Sequence, residues 1–287
     1  MGFTAPAQTN NNMHPETTPP TTTVHWLSDL HLDRASDGKI ESLHETIAGL
    51  RSEALIITGD ISSAKWIAKH LRGLAGACAP RPLYFVLGNH DFHDGSIKSV
   101  EREVAAVCRC VPNLRHLDGG EVFPLSRNTG LIGHRGWADA RAGWGGKTII
   151  DSRDHGSIGD FRNLSKAQQY VKMEALGKEA AAAFRRTLPF ALSRYRHVVI
   201  ATHVPPFPES AHFGNKPCGP THLPHFANLS AGMALVGITR NFPRRRVTVL
   251  AGHTHSPVRL LILDNLEARV GGARTGNPGI QGGLDFP

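Results

Sequence analysis

Short apolar runs rich in β-branched side chains recur along the chain, and each ends abruptly in polar residues or glycine. Runs of this length and composition are typical of buried strands. The runs are Val24–Leu27, Ala54–Ile57, Leu83–Leu87, Val198–Ala201 and Val247–Ala251. Apolar residues at helical spacing predict helices over Ile40–Leu50, 62–75, Val100–Val107 and Lys166–Arg186, the last with Ser165 as its N-cap. Strands therefore alternate with helices, which predicts an α/β fold.

The pattern also divides the chain into regions. Residues 1–23 are rich in Thr, Pro and Asn and offer little to bury, so we expect a disordered N-terminal tail. Residues 24–287 are predicted to form a single domain. The periodicity loosens over 92–196, which we interpret as an elaborated insertion that shapes a substrate cleft. Within it, Leu131–Gly146 is predicted to be a strand followed by a long loop.

Composition narrows the classes of partner. Of 287 residues, 32 are Lys or Arg and 24 are Asp or Glu, and the formal charge of +8 favours anionic partners such as phosphate esters or nucleic acid. The four cysteines form no CxxC pair and indicate a reducing compartment. The N-terminus lacks a secretory pattern, and no apolar stretch approaches the roughly 18 residues that span a bilayer. We expect a cytoplasmic protein without a membrane partner; the sequence does not indicate its oligomeric state.

Each apolar run is followed by residues that can bind metals. The clusters are Asp29-Leu30-His31, Gly59-Asp60, Gly88-Asn89-His90-Asp91, Thr202-His203 and Gly252-His253-Thr254-His255. In open α/β sheets the carboxyl ends of the strands form the ligand-binding edge. Taken singly, a DxH or HxH pair arises by chance and a Gly-Asp is often a turn. Five clusters that all follow strands favour a site for two metals such as Mn, Fe or Zn.

The order DLH…GD…GNHD…TH…GHTH, running from Asp29 to His255, resembles the calcineurin-like metallophosphoesterase superfamily. The resemblance implies a four-layer α/β sandwich, in which helices flank two central mixed β-sheets and the metals lie at the strand C-terminal ends. It also implies roles for single residues. Asp29, His31 and His255 would hold one metal, Asn89, His203 and His253 the second, with Asp60 bridging both, His90 beside the substrate phosphate and Asp91 orienting His90.

The implied activity is hydrolysis of phosphate mono- or diesters by a metal-bridging hydroxide, since two cations about 3.5–4 Å apart lower the pKa of water. We expect the substrate to be a small molecule or a nucleotide. A nuclease with the same metal site is an alternative, but no basic stripe with interleaved aromatic residues lies outside the middle loop, so nucleic acid is not favoured. A non-catalytic scaffold ranks last, because all seven ligand positions are filled.

Specificity is predicted to lie in Leu131–Gly146. Arg135 or Arg141 would clamp a phosphate with its planar fork, and Trp137 would pack beside the substrate. The alternative is a surface loop whose tryptophans anchor in the core. The later stretch from His212 to His225 is open to two interpretations. It could hold a third metal, but its spacing matches no standard zinc pattern, which favours a loop of the substrate cleft.

Overall fold

The computed structural model describes residues 2, 21–214 and 216–286. Its strands are β1 (Thr22–Leu27), β2 (Ala54–Thr58), β3 (Leu83–Val86), β4 (Leu114–His116), β5 (Phe123–Pro124), β6 (Thr129–Gly133), β7 (His197–Ala201), β8 (His212–Phe213), β9 (Lys216–Pro217), β10 (Arg246–Ala251), β11 (Val258–Leu263), β12 (Leu266–Val270) and β13 (Ile280–Phe286). Its α-helices are α1 (Asp37–Gly49), α2 (Ile67–Cys78), α3 (Ile97–Cys110), α4 (Arg153–Ser157), α5 (Gly159–Arg162), α6 (Lys166–Arg194), α7 (Leu223–Phe226) and α8 (Leu229–Arg240). Short 3-10 helices cover Leu32–Arg34, His90–Phe92, Leu117–Gly119, Gly145–Lys147 and Pro208–Ser210.

Two mixed sheets carry most of these strands. The first has the order β13-β1-β2-β3-β4, in which β13 is antiparallel to β1 and the other pairs are parallel. The second has the order β11-β12-β10-β7-β6-β5, in which only the two edge strands, β11 and β5, are antiparallel to their neighbours. Strands β8 and β9 pair separately as a short ribbon. Parallel strands in each sheet bring their carboxyl ends to one edge.

Three apolar clusters define the layers. Helices α1, α2 and α3 bury residues such as Ile47, Leu71 and Val104 against the first sheet. Helices α6 and α8 pack against the second sheet. Between the sheets lies a third cluster, in which Trp26 of the first sheet shares a core with Val199 of the second. The layers therefore run helix, sheet, sheet, helix, and the predicted four-layer sandwich is confirmed.

Element boundaries differ from the predictions where the site or the tail intervenes. Strand β1 begins at Thr22, whose partner in β13 is Phe286, so the tail ends earlier than predicted; the rest of it, apart from residues 2 and 21, lies outside the described residues. Helix α2 begins only at Ile67, because residues 62–66 form part of the loop at the carboxyl end of β2. Helix α6 begins at the predicted cap, Ser165, and continues through Pro189 to Arg194.

The segment 92–196 is less of an insertion than the sequence indicates. It supplies β4 to the first sheet, β5 and β6 to the second, and the covering helices α3 and α6. Strand β6 overlaps the strand predicted at the start of Leu131–Gly146, whereas β4 and β5 escaped prediction because they are short. What reaches the metal-binding edge is mainly the stretch around α4.

Two further features of the structure concern the cysteines and the possibility of a membrane-spanning helix. All four cysteines are free thiols. Within the described part of the chain, we find no helix that combines the length and the apolar character needed to cross a membrane.

Candidate metal centre

The backbone is strained where the predicted ligands lie. Seven non-glycine residues of the described chain have a positive φ, and five of them are predicted metal ligands. These five are Asp29, His31, Asp60, His253 and His255, with φ between 42° and 71°. Side chains with a Cβ disfavour this left-handed region, and such conformations cluster at functional sites, where surrounding structure holds them. The strand ends are thus bent to aim these side chains at a common point.

Glycines precede three of the clusters because the space beside them is filled. A Cβ on Gly59 would lie 2.6 Å from Nδ1 of His203, and one on Gly88 would lie 2.5 Å from the backbone nitrogen of Asp60. A Cβ on Gly252 would collide with the Asp29 carboxylate. Only Gly59 of the three has a positive φ, at 89°. Close approach of the ligand loops, more than a turn conformation, therefore requires these glycines.

The first group of ligands comes from β1, β2 and the loop after β10. Ligand atoms of Asp29, His31, Asp60 and His255 all lie within 4.8 Å of one another, and three of the four residues are buried. Nε2 of His31 is 3.0 Å from Nε2 of His255, and Nε2 of His255 is 3.4 Å from Oδ1 of Asp29. Two carboxylates and two imidazoles at this separation form a donor set suited to a borderline divalent cation.

A chain of buried hydrogen bonds fixes the orientation of Asp29. Nε1 of Trp26 donates to Oγ1 of Thr58 at 2.9 Å, and Thr58 donates to Oγ of Ser28 at 2.7 Å. Ser28 in turn donates to Oδ2 of Asp29. Oδ1 accepts a bond of 2.8 Å from the backbone N–H of His253. The indole can only donate, so the chain has one direction and ends on the carboxylate.

The second group consists of Asn89, His203 and His253. The atoms with which these three side chains face one another are all hydrogen-bond acceptors, and none of them carries a proton. Nδ1 of His203 faces the carbonyl oxygen of Thr58 at 2.8 Å, and Nε2 of His253 faces that of His225 at 2.9 Å. Carbonyls only accept, so these nitrogens carry the ring protons and the other ring nitrogens present lone pairs. Both lone pairs point at Oδ1 of Asn89, at 3.0 Å and 2.9 Å. Acceptors that converge in this way require a cation between them.

Asp60 lies between the two groups. Its Oδ1 is 3.2 Å from Nε2 of His203, in the second group, and its Oδ2 is 3.7 Å from Nε2 of His31, in the first. One carboxylate therefore faces both groups with different oxygens. This is the arrangement required of a bridging ligand.

The pKa values of the predicted ligands, in the protein without metal, also favour a cation-binding site. Burial raises the pKa of Asp60 well above its usual range, and the nearby Asp29 carboxylate raises it further. Burial lowers the pKa of His31 to about 3 and that of His253 to about 4. Burial also lowers the pKa of His255, but the Asp29 carboxylate outweighs this effect and raises it. Neutral imidazoles can bind metals, and bound cations would offset the repulsion between the carboxylates of Asp29 and Asp60.

A family model for calcineurin-like phosphoesterases matches residues 22–257, which is most of the 287-residue chain. The chain belongs to the calcineurin-like phosphoesterases. It is therefore a metal-dependent phosphoric ester hydrolase, and membership implies two divalent metal ions. No protein among the curated sequences matches it.

Solved structures share the fold of this phosphoesterase at low sequence identity. A dimetal phosphatase from Danio rerio is 16% identical with a TM-score of 0.52, and the match covers 88% of this chain and 87% of that one. The protein TT1561 of Thermus thermophilus is 15% identical with a TM-score of 0.50, covering 88% and 90%. At such identities the likeness establishes the fold alone.

His90 lies at the edge of the phosphoesterase's metal centre, but Asp91 does not orient it. The His90 ring centroid is 4.6 Å from that of His31 and 4.2 Å from that of His93. Asp91 is fully buried, and its two oxygens accept bonds of 2.7 Å from the backbone N–H groups of Ser62 and Gly88. The predicted role of Asp91 is therefore wrong. Its carboxylate joins the loops after β2 and β3, which places the ligands of both groups.

Two of the predicted substrate residues, Arg135 and Trp137, are buried and are held by other side chains of the protein. Arg135 is 5% exposed, and its guanidinium bonds to Asp118 and Glu101 at 2.6 Å each and to Glu179 at 3.2 Å. Trp137 is 4% exposed and stacks on Phe161 in the core, with centroids 5.6 Å apart. With its guanidinium held by three carboxylates, Arg135 is not free to clamp a phosphate. Trp137 is held by apolar packing and also lines the small space beside Asn89 and His253, so its substrate role stays a prediction.

Arg141 is exposed, but it too points away from the predicted ligands. Its guanidinium donates to Oγ of Ser230, at the start of α8, at 3.0 Å. Across the described ranges, no hydrogen bond or ion pair joins it to the metal groups. Of the two tryptophans in Leu131–Gly146, Trp137 is anchored in the core, as the alternative interpretation has it, whereas Trp144 is 53% exposed.

Asp154, on α4, is a site residue that the sequence did not reveal. Its Oδ1 accepts bonds from Nδ2 of Asn89 at 3.0 Å and from Nε2 of His93 at 2.6 Å. Burial alone raises the pKa of Asp154, but these two bonds outweigh it and keep the pKa well below 3.8. Because Nδ2 of Asn89 donates to Asp154, Oδ1 of Asn89 is turned toward the histidines. No local motif marks Asp154, which is 65 positions from Asn89.

The stretch from His212 to His225 forms no metal group among the residues that the structure describes, where the only such group contains Asp29, His31, Asp60 and His255. The His222 ring instead stacks on Phe213, with an interplanar angle of 9°. The backbone carbonyl of His225 accepts from His253. This stretch therefore supports the second group through its backbone, and a third metal site is not supported.

Proposed function

We propose that this phosphoesterase hydrolyses phosphate mono- or diesters of a small molecule or nucleotide, with Mn, Fe or Zn at two sites. Asp29, His31 and His255 would hold one ion, Asn89, His203 and His253 would hold the other, and Asp60 would contact both. One observation carries the assignment: Oδ2 of Asp60 faces the first group of ligands, and Oδ1 faces the second. When bound, the ions lower the pKa of water and neutralise charge on the phosphate oxygens.

The chain's own residues position the phosphate. His90 is half-buried beside His31. Its backbone N–H donates to Oδ1 of Asp60 at 2.9 Å, which fixes the position of the backbone from which the ring extends. From there a ring N–H can bind a phosphate oxygen at the rim of the centre. The neighbouring His93 ring limits the motion of His90, and Asp154 holds His93 in turn. Such positioning contributes to rate only if it favours the transition state over the bound substrate.

The placement of charge favours small substrates over nucleic acid. The Arg244–Arg246 run begins β10, whereas the metal ligands follow the other end of that strand. A polyanion contacting these arginines would not reach the metals along the same face. We therefore retain nucleic acid only as an outcome of the test.

The test is metal analysis followed by paired assays. Purified protein is stripped with a chelator, reloaded with Mn, Fe or Zn, and assayed on p-nitrophenyl phosphate, bis(p-nitrophenyl) phosphate and single-stranded DNA. We expect two ions per chain and metal-dependent hydrolysis of an aryl phosphate. Cleavage of DNA without aryl phosphate hydrolysis would favour the nuclease. A loaded protein that cleaves none of them would overturn the proposal.

A further inference from the structure

A cavity of about 340 Å³ opens directly beside the first metal group. Asp29 and His255 form one wall. The opposite wall is the connection between β12 and β13, residues 271–279, together with Gln281 of β13. We call this cavity the distal pocket. Its position makes it continuous with the place where a substrate phosphate would meet the first ion.

The wall opposite the metals is held firmly. The backbone N–H of Ala273 donates to the carbonyl of His255 at 3.1 Å, so the connection is attached to the loop that carries a metal ligand. The Gln281 amide pairs twice with the Gly272 backbone, at 2.9 Å and 2.7 Å. Farther along, Nζ of Lys39 donates to the carbonyl of Gly276 at 2.8 Å. These bonds fix the wall relative to the metal group.

Arg274 gives this wall its charge. The side chain is exposed, and its guanidinium has no hydrogen-bond or ion-pair partner among the described residues. Arg135, by contrast, is neutralised by carboxylates. Among the described residues that line the distal pocket, Asp29 is the only carboxylate, and we assign it to the metal. The pocket therefore offers an unpaired cation opposite the site of hydrolysis.

We propose that the distal pocket binds a second anionic group of the substrate, a phosphate or a carboxylate in the part that is not hydrolysed, through Arg274. This inference rests on the proposed function, because it presumes that a phosphate ester occupies the metal centre. A guanidinium binds both kinds of anion through its planar fork. The substrate class is thus a phosphate ester with a second negative charge. Specificity then depends on the β12–β13 connection, and not on Leu131–Gly146.

The test compares matched ligands by calorimetry on the zinc-loaded protein. The ligands are phosphonates, whose C–P bond a phosphoesterase does not hydrolyse: butylphosphonate has one anionic group, whereas butane-1,4-diyl bisphosphonate and 4-carboxybutylphosphonate each add a second at the end of a flexible chain. We expect at least one of the two-anion ligands to bind about tenfold more tightly than butylphosphonate, the worth of one charge-assisted hydrogen bond. Whichever of the two binds more tightly identifies the distal anion.

Two variants test whether Arg274 is responsible for the tighter binding of the two-anion ligands. In Arg274→Ala, the ratio of the dissociation constant of the one-anion ligand to that of the tighter two-anion ligand should fall to near one. Arg244→Ala removes an equally exposed arginine at the start of the β10 region and should leave the ratio unchanged. Equal binding of all three ligands by the parent, or an undiminished ratio in Arg274→Ala, would overturn the inference. Aryl phosphate turnover by the parent is measured in parallel: turnover without the binding preference contradicts only this inference, and preference without turnover contradicts only the proposed function.

Discussion

The two halves of the metal centre differ in their surroundings. The first, with Asp29 and His255, borders a cavity of about 340 Å³, and the His255 side chain is 33% exposed. The second, with Asn89 and His253, borders a space of only about 10 Å³ lined by residues such as Trp137 and Asp154. The first half is open to solvent and substrate, and the second is enclosed by protein.

The difference shows how one ligand motif yields two environments. Ligands of both halves follow strand ends, but the closed half also receives hydrogen bonds from Asp154 and from the carbonyl of His225. Outer partners of this kind orient ligands and raise metal affinity. In the open half, Asp29 has outer partners of its own in Ser28 and the backbone N–H of His253, but the buried Nδ1 of His31 has no hydrogen-bond partner among the described residues. We therefore expect the closed half to hold its ion more tightly.

Asp60 is the one residue that belongs to both halves, and its substitution should have the largest effect. Asp60→Asn is expected to remove metal from both sites and to reduce turnover by more than the roughly 100-fold that loss of an outer partner costs. Metal content per chain and aryl phosphate hydrolysis measure this. Asp33→Asn, a nearby carboxylate outside the groups, is the control. Normal metal content and turnover in Asp60→Asn would show that the halves are independent.

His90 tests the open half. His90→Ala should retain both ions and lower turnover about 10²–10⁴-fold, the usual worth of a positioned acid–base or hydrogen-bonding group. No carboxylate contacts the His90 ring within the described part of the chain, so we expect similar losses for good and poor leaving groups. The comparison uses p-nitrophenyl phosphate and an alkyl phosphate, with His222→Ala as the control. A loss confined to the alkyl phosphate would instead identify His90 as the proton donor.

Asp154 tests the closed half. Asp154→Ala should weaken metal binding at the second site about 10–100-fold, because Asn89 loses the partner that orients its amide. Binding at the first site should change little. Metal titration by calorimetry separates the two, with Asp151→Ala as an exposed neighbouring control. Equal weakening at both sites would contradict the division of the centre into halves.

Arg135 should affect stability and not catalysis. Arg135→Ala leaves the buried Asp118 without its ion-pair partner, and we expect a loss of about 3 kcal/mol in the free energy of unfolding, at the low end for a broken buried pair because Glu101 and Glu179 are partly exposed. Urea denaturation measures the loss, and Arg141→Ala is the exposed control. A raised KM with unchanged stability in Arg135→Ala would restore its predicted substrate role.

The sequence predicts the ligands far better than their supports. Strand runs and the polar residues after them locate Asp29, Asp60 and His203, because ligands at strand ends lie within a few residues of a strong hydrophobic signal. Asp154 could not be found, since its contact with Asn89 depends on how a loop and a short helix fold back. The role of Asp91 was misassigned for a related reason. Adjacency to His90 in sequence says nothing about which backbone amides its carboxylate meets.

The C-terminal part of the fold shows the same limit. Strands β12 and β13 lack the continuous apolar runs of the buried parallel strands. Strand β11 contains the apolar run Leu260–Leu263, but it lies at a sheet edge, none of its residues is fully buried, and it was not predicted. Helix α8 has a weakly amphipathic sequence and was not predicted. The connection that forms the distal pocket lies among these elements, so the specificity prediction fell on the more conspicuous Leu131–Gly146.

The most direct measurement is anomalous X-ray diffraction from crystals grown with manganese. The account predicts two anomalous peaks about 3.5–4 Å apart on either side of the Asp60 carboxylate. One should lie among Asp29, His31 and His255, and the other among Asn89, His203 and His253. A single peak, or peaks away from Asp60, would contradict the two-metal centre on which the proposed function depends.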